Sequence, residues 1–173
     1  MKRYKIIFLV LALVIAIAGL GSSWIPAAAA KTNETVIKSL TFEQPADIYL
    51  RKGGVYFSSS NYTGEARLTR FQAAGVYLNR NLEFVQPLTE IRANSLSGVE
   101  FRTLWGIVYV YYNLTSEQRA AWTKGDLSIY QYDPIKKTWS ACPSLLVQDE
   151  SAKFGRLACV IPAFGVYGLA ISK

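Results

Sequence analysis

From residue 36 onward the sequence consists of short runs of β-branched and aromatic residues that are separated by turn-forming residues. In the strongest run, residues 107–112, every side chain is β-branched or aromatic. Such runs are typical of strands, and their steady spacing is typical of an antiparallel sandwich or barrel. Helix and strand patterns do not alternate as they would for a parallel sheet. The sequence therefore predicts an all-β fold, an antiparallel β-sandwich of about ten strands.

One segment of the sequence departs from the strand pattern. Thr115 stands three residues before Gln118, which is the spacing of a helix-capping box, and Lys124 and Gly125 supply a helix end. We therefore expect one short helix that connects two strands. The other predicted strands cover residues 36–42, 48–50, 55–57, 66–71, 75–78, 82–85, 99–104, 127–132, 138–142, 156–161 and 165–171.

The first 30 residues have a different composition from the rest of the chain. Three basic residues stand within the first five positions, followed by 15 apolar residues at 6–20 and a run of alanines at 27–30. A basic start, an apolar stretch and small residues at the end are the three regions of a secretory signal peptide. The pattern predicts export through the general secretory route, to the cell surface or the surrounding medium.

Cleavage is expected after Ala30, with Ala28 and Ala30 as the small residues that the peptidase needs and Lys31 as the first residue of the mature chain. The alternatives are an uncleaved anchor, since residues 6–25 have about the length that spans a bilayer, and a buried helix of a soluble protein. With cleavage, residues 31–173 form one β-sandwich domain.

The positive charge of the chain indicates no nucleic-acid partner. The whole sequence has 19 basic and 12 acidic residues, and loss of the three basic residues near its start leaves a net charge of +4. The remaining basic residues are scattered, with Arg51-Lys52 and Lys136-Lys137 as the only adjacent pairs. A nucleic-acid site requires a clustered basic stripe. We interpret the charges as a mixed, solvated surface.

Cys142 and Cys159 are the only cysteines, and both lie in predicted strands. We expect antiparallel pairing of those two strands to bring the cysteines together, and an oxidising compartment to join them in a structural disulfide. The alternatives are two buried free thiols, or one reactive thiol, which would lack a histidine partner.

The residue types argue against catalysis. The chain has no histidine, which is the commonest general base and metal ligand. Gly53-Gly54 lacks the Lys and Ser that follow in a phosphate-binding loop, and Asp133 and Asp149-Glu150 supply too few oxygens for calcium. We expect no cofactor, no metal and no enzymatic activity. An enzyme with an unrecognised pair of carboxylates is the alternative.

The last third of the chain resembles a closing pattern of secreted bacterial β-sandwich modules. In that pattern a strand ending in Tyr-Asp (127–133) leads to a Trp (137–139), and an acidic loop precedes two further strands (156–161 and 163–169). Over residues 107–173 the chain is similar to the sandwich domain of ankyrins, netrin receptors and related autoproteolytic proteins. The resemblance implies a sandwich fold.

Members of that wider group cut themselves at a His-Phe-Ser sequence near the final strand. The matching positions here are Ala163, Phe164 and Gly165, so that the serine nucleophile and the histidine are both missing. What the resemblance implies for this chain is therefore the fold without the self-cleavage.

Aromatic residues make up 13% of the chain, more than one sandwich core of this size usually requires. In a regular strand Tyr109 and Tyr111 face one side and Tyr112 the other. Tyr62, in a polar loop, and Trp105 are the candidates for a ligand-facing position. Core packing and cross-strand pairing of the aromatics are the alternative.

Two functions fit this sequence. The first is a non-catalytic exported module of the cell envelope or extracellular space, structural or protein-binding. The second is a small carbohydrate-binding or adhesive domain that uses exposed aromatic rings. The partner would accordingly be an unknown protein or a polysaccharide. A solvent-exposed row of two or three aromatic rings favours the second function, and its absence favours the first.

Overall fold

The computed structural model describes residues 33–58, 63–104 and 106–173. The expected signal segment, with Ala28, Ala30 and Lys31, lies outside the described residues. Within the described residues, twelve strands form two antiparallel sheets, which confirms the predicted all-β, sandwich-like fold.

Sheet A contains seven strands in the order β1-β4-β6-β12-β8-β9, with β5 paired to β12 beside β6. Its strands are β1 (Glu34–Leu40), β4 (Gly64–Phe71), β5 (Leu82–Phe84), β6 (Leu88–Ser95), β8 (Leu127–Asp133), β9 (Thr138–Cys142) and β12 (Gly165–Ser172).

Sheet B contains five strands in the order β10-β11-β7-β3-β2. They are β2 (Ala46–Leu50), β3 (Gly53–Phe57), β7 (Val108–Asn113), β10 (Ser144–Asp149) and β11 (Ala152–Val160).

The main hydrophobic core lies between the two sheets. Alternate residues of β2 and β4 are buried, as the period of two in a strand requires. Sheet B contributes Ile48, Val55 and Val110, and sheet A contributes Leu68 and Ile129, all at most 1% exposed. The side chains between them point outward, so that each sheet has an outer face of its own.

The single helix of the described residues, α1 (Ser116–Lys124), confirms the predicted connector. The Thr115 hydroxyl accepts a hydrogen bond from the Gln118 backbone N–H, and the Gln118 side chain accepts one from the Thr115 N–H, as in a capping box. Gly125 ends the helix with φ 85°, a conformation that glycine adopts without strain. No helix in the described residues is long and apolar enough to span a membrane.

Several strand predictions were wrong in detail. Residues 75–78 contain a 3-10 turn instead of a strand, and residues 99–104 contain only an isolated bridge between Glu100 and Asn94. Conversely, the sequence interpretation missed β6 and β10 as strands. β6 carries Glu90 and Arg92 on its outer side, so its apolar residues alternate with charges and form no continuous run.

The predicted disulfide between Cys142 and Cys159 is present, with the two Cα atoms 6.1 Å apart. The expected reason for their proximity was wrong, because the strands that carry them do not pair. Cys142 ends β9 of sheet A and lies opposite Ile129 of β8, whereas Cys159 lies in β11 of sheet B and pairs with Val110 of β7. The bridge therefore joins the two sheets across the core.

Candidate ligand-binding surfaces

The outer face of sheet B carries tyrosines on three neighbouring strands. Tyr49 of β2 is 51% exposed and Tyr56 of β3 is 38% exposed, while Tyr109 of β7 is half-buried beside them. We call this surface the tyrosine face. Its outward side chains are Asp47, Tyr49, Tyr56, Tyr109, Tyr111, Leu145, Val147, Arg156, Ala158 and Val160.

Tyr56 and Tyr109 form the accessible aromatic pair of this face. They are direct cross-strand partners in the register of β3 and β7. Their ring centroids are 6.4 Å apart and their planes are inclined by 32°. Cross-strand pairing therefore fixes two rings side by side at a shallow angle, as a small aromatic platform.

Tyr111 is buried, and its ring packs over Gly54 as the floor of the tyrosine face. A Cβ atom added to Gly54 would lie 2.6 Å from the Tyr111 Oη. The ring therefore occupies the space that any other side chain at position 54 would fill. The Oη donates a hydrogen bond of 2.7 Å to Asp47 Oδ1, across the intervening strand β3. Burial, together with this hydrogen bond, raises the pKa of Tyr111. The phenol is therefore neutral and holds the Asp47 carboxylate in place.

Arg156 covers the other side of Tyr111, with its guanidinium carbon 4.6 Å from the ring centroid. Its Nη1 lies 3.0 Å from Asp149 Oδ2, and its Nε donates to Asn113 Oδ1 at 3.2 Å. Its Nη2 donates to the Ser151 hydroxyl at 2.8 Å. Hydrogen bonds from Ser151, reinforced by Arg156, hold the pKa of Asp149 below its usual value. The guanidinium is thus fixed in one orientation before any ligand arrives.

A depression of about 310 Å³ lies over these side chains. Tyr56, Tyr109, Tyr111 and the aliphatic side chains Leu145 and Val147 make its lining mainly apolar. Asp47 and Arg156 are the charged groups that line it. An apolar depression with a few fixed polar groups is the usual composition of a small-ligand site.

The outer face of sheet A also carries aromatic rings, but a segment of the chain covers several of them. The segment 72–81, here called the strap, crosses this face, and Trp139 Nε1 donates a hydrogen bond of 3.1 Å to the Tyr77 carbonyl oxygen of the strap. The Tyr77 ring lies 4.9 Å from that of Tyr132, and the Trp139 ring lies 4.7 Å from that of Phe84. These rings form a second hydrophobic core with Leu88.

A larger pocket of about 610 Å³ lies at one end of sheet A, where β12 begins at Gly165 and leaves a gap between β6 and β8. Glu90 and Glu100 both line it, but they share one guanidinium. Arg92 Nη2 lies 2.7 Å from Glu90, and Arg92 Nη1 lies 3.8 Å from Glu100. The hydrogen bond to Glu90 raises the pKa of Arg92. The space between the carboxylates, where a glycosidase holds the bond to be cut, is therefore taken by an arginine.

Of the predicted site residues, only the cysteines lie in the described part of the chain. Tyr62 and Trp105, the expected ligand-facing aromatics, lie outside the described residues, as do the residues of the expected cleavage site. The described residues contain no group of three or more His, Cys, Asp or Glu that could hold a metal ion.

The predicted opposite orientation of Tyr109 and Tyr111 relative to Tyr112 is confirmed. Tyr109 and Tyr111 lie on the tyrosine face, whereas the Tyr112 ring lies in the main core and its hydroxyl donates to the Tyr167 carbonyl oxygen at 3.0 Å. The sequence interpretation missed Asp47 and Arg156. Strand alternation could have placed each side chain on an outer face, but only the order of the strands in sheet B brings the two to the same surface.

Comparison with protein families, with curated proteins and with solved structures finds no match for this chain. The similarity to the sandwich domain of ankyrins and netrin receptors stays a prediction.

Proposed function

We propose that this protein is a non-catalytic, exported carbohydrate-binding module, and that the tyrosine face is its binding surface. The observation that carries the proposal is the accessible Tyr56–Tyr109 pair, with the exposed Tyr49 two positions along on the adjacent strand β2. The disulfide supports export, since such bonds persist mainly in oxidising compartments.

The chemistry of a pyranose matches this surface. One face of a sugar ring presents C–H groups, which pack against an aromatic ring, and its edge presents hydroxyl groups, which need fixed donors and acceptors. The Tyr56–Tyr109 pair supplies the apolar platform. Asp47 supplies a carboxylate acceptor beside it, and Tyr111 already fixes that carboxylate. A preorganised site loses little entropy on binding.

Protein binding is the second candidate, and a specific observation favours it. Leu145 and Val147 of β10 line the depression, and Val160 of β11 continues the exposed apolar surface beyond it. A row of aliphatic side chains offers nothing to sugar hydroxyls, but it fits the apolar centre of a protein interface.

The test is a glycan array that includes cello- and chito-oligosaccharides, probed with the purified exported protein. We expect binding to at least one saccharide and a loss of about tenfold or more in affinity for Tyr56→Ala, which removes half of the platform. Absence of binding to every saccharide would reject the carbohydrate proposal and leave the protein-binding candidate.

The matched control is Tyr130→Ala. Tyr130 is a half-buried tyrosine that points outward from sheet A, on the opposite side of the molecule. It should leave saccharide binding unchanged. Equal losses for Tyr56→Ala and Tyr130→Ala would indicate a general loss of folding, not a site on the tyrosine face.

A further inference from the structure

The strand register brings several connections to one end of the molecule. Tyr167 of β12 pairs with Thr89 of β6 on one side and with Gln131 of β8 on the other, and both strands run antiparallel to β12. β6 and β8 therefore end at the same edge of sheet A. Ser95, the last residue of β6, pairs with Gly64, so the first residue of β4 lies at this edge too. We call this edge, with the connections that follow β6 and β8, the loop end.

Large apolar side chains project from these connections into solvent. Ile135, in the connection after β8, is 90% exposed, and Leu96 and Val99, in the connection after β6, are 76% and 66% exposed. In the part of the chain that the structure describes, the connections after β2, β7 and β10, at the opposite end, contain no exposed large hydrophobic residue. The short connections at the two ends thus differ in apolar exposure, whereas the strap, which follows β4 and crosses the outer face of sheet A, exposes Val76 and Leu78.

The apolar residues project from turns that are held in a fixed shape. The Asp133 carboxylate accepts hydrogen bonds from the backbone N–H groups of Ile135 at 2.9 Å and Lys136 at 3.1 Å. In the other connection the Ser95 hydroxyl accepts from the Val99 N–H at 3.1 Å, and the Ser95 carbonyl accepts from the Gly98 N–H at 2.9 Å. Tight turns normally carry polar residues. Here rigid turns present apolar side chains that have no core to join.

Basic residues accompany the apolar ones. Lys136 and Lys137 follow Ile135 directly, and Arg102 lies in the connection after β6. Among the described residues neither Lys137 nor Arg102 has an ion-pair partner within 4.0 Å. Apolar side chains that project beside unpaired cations match the layering of an anionic bilayer, in which phosphates lie outside the acyl chains.

We propose that the loop end docks on an anionic phospholipid bilayer, with Leu96, Val99 and Ile135 inserted below the headgroups and Lys137 and Arg102 at the level of the phosphates. The apolar side chains project from two separate turns, Leu96 and Val99 from one and Ile135 from the other. A fluid bilayer accepts such separate side chains wherever they fall, whereas a folded partner would need a matching hole for each. This contact is separate from the tyrosine face and does not depend on its function.

The experiment is co-sedimentation of the purified exported protein with two kinds of vesicle, pure phosphatidylcholine and an equal mixture of phosphatidylcholine and phosphatidylglycerol. We expect stronger binding to the mixed vesicles. Ile135→Ser and Leu96→Ser should each weaken binding to both kinds by about tenfold, since each removes one inserted side chain. Lys137→Gln should weaken binding to the mixed vesicles by about fivefold and leave binding to pure phosphatidylcholine unchanged.

The control is Val76→Ser, which changes a strap residue that is 60% exposed but lies on the outer face of sheet A. It should bind vesicles like the unmodified protein, and so should Tyr56→Ala.

The proposal is overturned if the unmodified protein binds neither kind of vesicle. It is also overturned if Val76→Ser and Ile135→Ser weaken vesicle binding equally. Because Ile135→Ser should retain saccharide binding, failure of this proposal is distinguishable from failure of the carbohydrate proposal.

Discussion

Both outer faces of the sandwich carry aromatic residues, but several of those on sheet A are covered, whereas some of those on sheet B are exposed. On sheet A the strap covers Phe84, Tyr132 and Trp139, and the rings pack into a second core. On sheet B no segment of the described chain covers the equivalent positions, and Tyr49 and Tyr56 remain exposed. The strap has an aromatic residue of its own, Tyr77, which contacts the rings beneath it.

This difference shows that aromatic content alone does not indicate a binding surface. Rings beneath a covering segment contribute to stability through burial, whereas uncovered rings contribute little to stability and are available to a ligand. Mutations on the covered face should therefore lower the stability of the protein, whereas mutations on the tyrosine face should weaken ligand binding.

Loss of the disulfide should affect both faces alike, because the bridge joins the sheets that carry them. The double variant Cys142→Ala, Cys159→Ala should lower the free energy of unfolding by about 3 kcal/mol, the loop-closure value for this chain separation. Urea unfolding measures it. The unmodified protein under reducing conditions is the control and should lose a similar amount. An unchanged stability in both would mean that the bridge does not constrain the two sheets.

Trp139→Ala should destabilise the covered face. The indole is half-buried, packs against Phe84 and Tyr132 and donates a hydrogen bond to the strap. We expect a loss of about 2 to 3 kcal/mol, below that of a fully buried tryptophan, measured by urea unfolding. Saccharide binding should persist in the folded fraction. Trp139→Phe, which keeps a ring, should lose less, and a larger loss for Trp139→Phe than for Trp139→Ala would contradict the packing account.

Alkaline pH should destabilise the protein through its buried tyrosines. Burial raises the pKa of Tyr112 to about 12, from an ordinary value near 10 in the unfolded chain. Below about pH 10 the phenol is neutral in both the folded and the unfolded state, and its full contribution to the free energy of unfolding is present. Between about pH 10 and 12 only the unfolded state ionises, so the free energy of unfolding falls by about 1.4 kcal/mol per pH unit for this group.

Tyr112→Phe tests that assignment, since it removes one ionising group. The slope of unfolding free energy against pH in this range should become shallower by about 1.4 kcal/mol per pH unit. Tyr111→Phe should act in the same direction, because burial also raises the pKa of Tyr111. A slope that stays the same in both variants would show that other groups govern the alkaline loss.

Tyr56→Ala should have the smallest effect on stability. The ring is 38% exposed and lies beside one other ring of the described residues, that of Tyr109. We expect a change below about 1 kcal/mol in urea unfolding, together with the loss of saccharide affinity described above. A stability loss as large as that of Trp139→Ala would remove the distinction between the two faces.

The sequence predicted the fold class because alternation and turn residues are local signals. The short helix followed from the local spacing of Thr115 and Gln118, and the opposite orientation of Tyr111 and Tyr112 followed from strand geometry alone. The strand β6 was missed because Glu90 and Arg92 interrupt its apolar residues, although they lie on its solvent side.

Properties that depend on strand order could not be predicted. Asp47 and Tyr111 are 64 residues apart in sequence and meet because β2, β3 and β7 are neighbours in sheet B. The disulfide was predicted, but its position between the sheets was not, because the chain crosses from β9 to β10 at Pro143. A hairpin and a crossover have the same local pattern there, and only the packing of the sheets distinguishes them.

Mapping a bound saccharide by NMR would show which outer face of the sandwich binds it. Backbone amide shifts of the purified protein would be followed while an array-positive cello- or chito-oligosaccharide is added. The amides of Asp47, Tyr56, Tyr109 and Arg156 should shift together, and those of Tyr77, Tyr132 and Trp139 should not. Shifts confined to the covered face, or no saccharide that produces shifts at the tyrosine face, would contradict the carbohydrate proposal.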